Sequence, residues 1–360
     1  MIVIADDITG AAEIAGLAFS YGLSTELQIV QPVDGSISFA KDTDVHVLAT
    51  DTRSMTAEEA ILETNRIANY LLPLSEPIFK KTDSALRGHI VEELKALMET
   101  TSKRQALFVP ANPSKGRIIK DGIYYIKGVA LAETAFSYDP EYPASTSALS
   151  ERFPEATSCG INMPDATSVE SIQSLVASLT PDTIPAGAID LFEAYIKGLF
   201  SLSEAPQQQT TYKIPTEEVI IVCGSTQSQT PELDFPISSI PIELYDSQTD
   251  TTSWQEDALK KYKQHHTLIL NIPYTHRTGK DIAVHLRNAM AMVLGFITKQ
   301  EHPREIIIEG GATAYTILSY LKIHALSIVA QIAPGVIRMR TGDGVYFTIK
   351  PGSYPWGNIF

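Results

Sequence analysis

Short, uninterrupted apolar runs alternate along the chain with longer stretches in which apolar residues recur every three or four positions. MIVIA (1–5), ELQIV (26–30), VHVLAT (45–50), PIFKK (77–81) and ALFVP (106–110) have the length and composition of buried strands. Between them, AAEIAGLAFSY (11–21), AEEAILETNRIANYLL (57–72) and IVEELKALME (90–99) carry the helical period. Strands alternating with helices predict an α/β fold, a mostly parallel sheet with helices on both faces. The pattern then breaks at SLSEAPQQQTTYKIPTEE (201–218), which is polar, contains proline and is poor in core residues. It restarts with VIIVC (219–223), PIELY (241–245), TLILNI (267–272) and EIIIE (305–309), and closes with SIVAQI (327–332) and VYFTIK (345–350). Two α/β domains are expected, 1–205 and 215–360, with a ligand cleft between them.

Composition agrees with a globular chain of two domains: 360 residues, 44% hydrophobic and 19% charged. Charge narrows the partners. With 28 Lys plus Arg against 42 Asp plus Glu, the net charge is −14, which disfavours nucleic acid and anionic membrane. A small anionic substrate would need a local basic pocket. The two cysteines, Cys159 and Cys223, fit neither a disulfide framework nor a metal knuckle, and Cys223 reads as a buried filler within VIIVC. The opening MIVIADD has no basic segment and too short an apolar run for a signal peptide, and no stretch approaches a membrane span. A soluble cytoplasmic enzyme is the expectation, with a homodimer as the default assembly.

In open α/β sheets ligands bind at the carboxyl ends of the strands, so the loops there are the candidates for chemistry. Asp6-Asp7-Ile8-Thr9-Gly10 follows the first strand. Its two carboxylates could receive substrate hydroxyls, one serving as general base; equally, Asp7 or Thr9 could cap the next helix. Lys80-Lys81-Thr82-Asp83-Ser84-Ala85-Leu86-Arg87-Gly88 ends another strand. There the Asp-Ser pair reads as the start of a helix, and Arg87 sits four residues after Asp83. Cations at a helix start favour anions, and a guanidinium fork suits a carboxylate or phosphate. The competing reading is a solvated Lys pair and an Asp–Arg pair on one helix face. Asp51-Thr52-Arg53 adds one acid and one cation. Pro113-Ser114-Lys115-Gly116-Arg117 is either a loop that closes over substrate or an ordinary surface loop. In the second half Gly224-Ser225, Glu309-Gly310-Gly311-Ala312-Thr313 and Lys350-Pro351-Gly352 follow strands. Paired glycines at a helix start let backbone N–H groups approach phosphate oxygens, although tight turns use glycine too.

Some chemistries are excluded. GxxxxGK[ST], GxGxxG after the first strand, HExxH and GxSxG are all missing, so P-loop, dinucleotide-dehydrogenase, zincin and α/β-hydrolase readings have no support. His265, His266 and His276 form no recognisable metal pattern.

In this order, the loops resemble the four-carbon acid sugar kinase family over essentially the whole chain. Members carry I-A-D-D-x-T-G, here Ile4–Gly10, and K-K-x-D-S-x-L-R-G, here Lys80–Gly88. They also carry P-A-x-P-x-x-G-R, here Pro110–Arg117, and G-x-x-Y-x-x-G-x-x-L-x-E-T, here Gly122–Thr134. The second half matches at Gly224-Ser225, Gly310–Thr313 and Lys350–Gly352. The resemblance implies a sugar-acid-binding first domain and a nucleotide-binding second domain, with ATP and Mg²⁺ as cofactors and the terminal hydroxyl of a tetronate or 3-oxo-tetronate as acceptor. It implies an acid-sugar pocket of Asp6, Asp7, Arg53, Lys81, Asp83, Ser84 and Arg87, with Asp7 or Asp83 as the base. It implies nucleotide contacts from Ser225, Gly310, Gly311, Ala312, Thr313 and Gly352. The chain departs from the family at Ala312, where members are usually acidic, and in the ending Gly352–Gly357. Those departures keep two alternatives open: a non-catalytic sugar-acid sensor, and an ATP-independent aldolase or isomerase.

Overall fold

The computed structural model describes residues 1–31, 37–139, 141–203, 213–224, 230–246, 250–273, 279–352, 354–356 and 359–360. In chain order these form β1 (Ile2–Ala5), α1 (Ile8–Ser20), β2 (Thr25–Ile29), β3 (Val45–Ala49), α2 (Ala57–Leu71), β4 (Ile78–Lys81), α3 (Ile90–Thr101) and β5 (Gln105–Val109). There follow β6 (Arg117–Lys120), β7 (Ile123–Ile126), β8 (Val129–Ala130), α4 (Leu149–Arg152), β9 (Ile161–Asn162), α5 (Val169–Ala177), β10 (Thr183–Gly187) and α6 (Ile189–Leu199). The last third holds β11 (Val219–Cys223), β12 (Ile237–Ser239), α7 (Thr252–His265), β13 (Thr267–Asn271) and α8 (Lys280–Thr298). It ends with β14 (Glu305–Glu309), α9 (Gly311–Tyr320), β15 (Ala325–Ala333), β16 (Val336–Arg340) and β17 (Tyr346–Lys350).

The fold is α/β, and the chain divides into two compact units, Met1–Ser24 with Pro32–Pro206, and Thr25–Gln31 with Gln207–Phe360. In the first unit the strands run β3-β1-β4-β10-β5-β9, every neighbouring pair parallel. The whole of β1 and β3 is buried, as expected of parallel strands covered on both faces. Helix α2 packs on α3, and α1 and α5 pack on α6. A three-stranded antiparallel sheet, β6-β7-β8, belongs to the same unit. In the second unit β12-β13-β11-β14-β17 is parallel, and β16, β15 and β2 extend it antiparallel.

Two local expectations are corrected. PIELY forms no strand: Ile242–Asp246 is a 3₁₀ turn, and the strand precedes it as β12. Pro241 has no N–H to give a sheet ladder, and its carbonyl instead accepts from the Leu244 N–H. The Asp83-Ser84 pair opens no helix either. Leu86 and Gly88 adopt left-handed backbone (φ 64° and 95°), so residues 82–89 form a loop and α3 starts only at Ile90. Strand β10 hides behind Pro185 and Gly187, which read as breakers. Gly187 is required there, because a Cβ would stand 2.0 Å from the Val109 carbonyl oxygen.

Candidate functional site

Register sets the site. Ala5 aligns with Ala49 on one side and Lys81 on the other, so β1, β3 and β4 end level with one another. The residues that follow them, Asp6-Asp7, Thr50–Arg53 and Thr82–Arg87, therefore leave the sheet at the same edge. Their side chains meet around the half-buried Arg53. Its Nε donates to Asp6 Oδ2 at 2.9 Å and its Nη2 to Asp7 Oδ1 at 3.0 Å, while Nη1 lies 3.7 Å from Asp83 Oδ1. Of the two readings of Asp7, the capping one is met: Oδ1 also accepts the Gly10 N–H at 3.0 Å, capping α1. Asp6 caps nothing, and its Oδ1 is buried without a hydrogen-bond partner.

Asp83 is fixed by its own loop. Its Oδ2 accepts from the Ala85 and Arg87 N–H groups at 3.0 and 3.3 Å and from Arg87 Nε at 2.9 Å, while Oδ1 accepts from Arg87 Nη2 at 3.0 Å. The four-residue spacing thus gives a two-point fork in a loop, not a pair on a helix face. The two lysines that end β4 diverge, as alternate residues of a strand must. Lys80 is fully buried against Glu93, which also accepts from Thr52 Oγ1 at 3.0 Å. Lys81 stays at the edge, 3.8 Å from Glu13 and against Gly10, whose absent Cβ would stand 3.0 Å from the Lys81 amino nitrogen.

The electrostatics separate the acids. Burial pushes Asp6 up to about 6; Arg53 opposes this and the neighbouring Asp7 adds to it. Asp83 is equally enclosed, and burial pushes it the same way. Arg53, the Arg87 hydrogen bonds and Lys81 outweigh that and hold its carboxyl well below the usual carboxylate range. Burial works against charge on Arg53 too, yet the three carboxylates hold it firmly protonated.

Further residues meet this edge, and of these the sequence points only to Arg117. Tyr142 Oη donates to the Arg53 carbonyl at 2.5 Å and lies 3.2 Å from His89 Nε2. Tyr124 Oη donates to the Ser84 carbonyl at 2.6 Å. Arg117, at the start of β6, donates from Nη1 to Ser84 Oγ at 2.7 Å. Phe136 lies under both Arg87 and Arg117, 5.8 and 5.7 Å from ring centre to guanidinium carbon. Nothing in the spacing of Tyr142 or Phe136 links them to the strand-end loops.

The second unit repeats the level edge. Cys223 aligns with Glu309, and Glu309 with Lys350, so Gly224, Gly310 and Pro351-Gly352 leave together. Gly310 precedes α9 with φ 96° and no side-chain cap. Among the described residues none accepts from the opening N–H groups of α9, those of Gly311, Ala312 and Thr313. Thr313 is buried against Gly224; a Cβ there would lie 2.1 Å from Thr313 Oγ1. Lys350 is fully buried, donating to Glu309 Oε1 at 2.7 Å and to the Pro351 carbonyl at 3.1 Å. Ser225 and His276 lie outside the described residues.

A family model for a sugar-binding N-terminal domain matches residues 1–191, and one for a nucleotide-binding C-terminal domain matches residues 235–354. The chain belongs to the four-carbon acid sugar kinase family. It is 33% identical over 156 residues to a D-threonate kinase of Salmonella typhimurium, covering 42% of this chain and 35% of that one. It is 33% identical over 150 residues to a 3-oxo-tetronate kinase of Brucella melitensis, covering 40% and 34%. The chain thus spans about a third of the length of these curated relatives. A solved Haemophilus influenzae protein of the same fold superposes with a TM-score of 0.73 at 20% identity, covering 100% of this chain and 98% of that one. No described helix is long and apolar enough to cross a membrane.

Proposed function

We propose that the chain is an ATP-dependent kinase that phosphorylates the terminal hydroxyl of a four-carbon acid sugar, threonate, erythronate or 3-oxo-tetronate, in the cytoplasm where ATP is supplied. The observation that carries this reading is the knot of Asp6, Asp7 and Asp83 around Arg53, with Arg87 and Lys81 beside it, at the carboxyl edge of a parallel sheet. Residues 1–205 take the acid and 215–360 the nucleotide in this reading.

Phosphoryl transfer needs positioning and charge neutralisation more than covalent help. Asp83, held by the Arg87 fork, is a fixed acceptor for a substrate hydroxyl. Asp6, whose raised proton affinity lies close to the working range of a general base, suits proton removal better than Asp83 does. Asp7 orients through its ties to α1 and Arg53. Lys81 and Arg87 supply positive charge. On the nucleotide side, Gly310, Gly311, Ala312, Thr313 and Gly352, with Ser225, are the residues for the phosphates. The uncapped start of α9 suits that group, because N–H donors and the helix dipole both favour anions. Among the described residues no group of three His, Cys, Asp or Glu side chains could cage a metal. Mg²⁺ bound together with ATP would neutralise charge on the transferring phosphoryl group. The test is ADP release in the presence of ATP, Mg²⁺ and each four-carbon acid. Turnover with one acid supports the reading; an ATP-independent conversion of the acid would overturn it.

A further inference from the structure

The cations at the first unit's sheet edge are already taken. Arg53 faces Asp6, Asp7 and Asp83; Arg87 faces Asp83 and, at 3.6 Å, Asp139; Lys81 and Lys115 share Glu13. Five carboxylates thus meet four cations, and a substrate carboxylate docking on any of these would have to displace a protein carboxylate. Displacement from a partly buried pair leaves an uncompensated charge and is costly. The nearby Arg152 is committed differently: its Nη2 donates to the Leu86 carbonyl at 3.0 Å, its Nη1 reaches the Pro143 carbonyl at 3.4 Å, and its Nε is enclosed.

Arg117 differs from all of them. No carboxylate among the described residues lies within ion-pair distance of it; its guanidinium donates to Ser84 Oγ and lies beside the neutral Tyr124 hydroxyl. A guanidinium carries five N–H donors in a rigid fork. Arg117 is held over the Phe136 ring, on which Arg87 also rests, and Ser84 directly follows the hydroxyl acceptor proposed at Asp83. From these positions we propose that Arg117 is the residue that binds the substrate's carboxylate, and so selects sugar acids over the corresponding neutral polyols. This rests on the acid-sugar reading of the same site, and goes beyond it by assigning the carboxylate to one side chain.

The test is calorimetric titration of the full chain, without ATP, with the four-carbon acids and with the matching four-carbon polyol, for wild type, Arg117→Met and Arg117→Lys. Lys120→Met, which removes an exposed cation from the same strand, serves as the control for net charge. Wild type and Lys120→Met should bind the acid and discriminate against the polyol. Arg117→Met should weaken acid binding roughly ten- to a hundredfold, the scale of a lost charged hydrogen bond, and bind acid and polyol alike. Arg117→Lys, which keeps the charge and loses the fork, should fall between. Undiminished discrimination in either arginine variant with an unchanged melting temperature would overturn the assignment, as would a wild type that binds none of the acids. A wild type that binds an acid with Arg117-dependent discrimination but releases no ADP would retain the assignment and remove the kinase reading.

Discussion

Asp6 and Asp83 touch the same guanidinium and titrate in opposite directions, because Asp83 has a second guanidinium and two backbone N–H groups while Asp6 has a buried oxygen with no partner. The two should leave opposite marks on stability. Asp6 is raised from 3.8 to about 6, so the folded state binds the proton more tightly than the unfolded chain, and stability falls as pH rises through that window. The shift corresponds to about 3 kcal/mol. Asp6→Asn removes this loss. Relative to wild type, its melting temperature should therefore improve between pH 4.5 and pH 7.5, and a constant difference across that range would contradict the burial account. Asp83 works the other way: its ion pairs stabilise the fold above the ordinary aspartate range, and that contribution is lost on acidification. Arg53→Lys keeps a charge but cannot reach three carboxylates with one planar fork. Activity should drop on the order of a hundredfold, the cost of misplacing reacting groups by about an ångström. The acids, Arg53 and Arg87 were legible in the sequence because strand ends are where ligands bind. The divergence of Lys80 from Lys81 followed from strand alternation. Tyr142 and Phe136 were not legible, since a long loop brings them in without any periodic mark.

At the scale of elements, the fold places chemistry by ending strands level and letting glycine pass where side chains crowd. Gly10 shows this most directly. An Ala there would gain helix propensity, yet its Cβ would fall 2.7 Å from Asp7 Oδ1 and 3.0 Å from Lys81 Nζ. Gly10→Ala should change the melting temperature little, because about 1 kcal/mol of propensity offsets the crowding, while turnover falls at least tenfold; equal loss of both would show that the position is merely structural. Gly224→Ala meets Thr313 in the second unit and should destabilise by roughly 1–3 kcal/mol, as overpacking does, with partial recovery in the Thr313→Ala background. The long periodic helices and apolar strands read straight from the chain. Strand β10 and the turn at Ile242–Asp246 did not, because Pro185, Gly187 and Pro241 act through specific neighbours that a local pattern does not contain.

At the scale of the molecule, each unit is built around buried ion pairs that anchor its sheet edge: Lys80 with Glu93, and Lys350 with Glu309. Lys350→Met would remove the buried lysine that pairs with Glu309 and should cost about 3–5 kcal/mol in chemical denaturation. A loss below 1 kcal/mol would mean that the carboxylate finds another partner. The proposed division of labour, acid on the first unit and nucleotide on the second, also predicts that Arg53→Lys lowers affinity for the acid while leaving affinity for an ATP analogue unchanged. The central claim is phosphoryl transfer to a four-carbon acid, and the measurement that reaches it most directly is coupled ADP release with ATP, Mg²⁺ and a panel of threonate, erythronate and 3-oxo-tetronate. Asp83→Asn is the control, with its melting temperature checked. Turnover on one acid, reduced at least a hundredfold in Asp83→Asn by loss of the positioned acceptor and its arginines, is the predicted result. Binding of an acid without ADP release, in a protein that also binds ATP, would contradict the account and leave a sugar-acid sensor in its place.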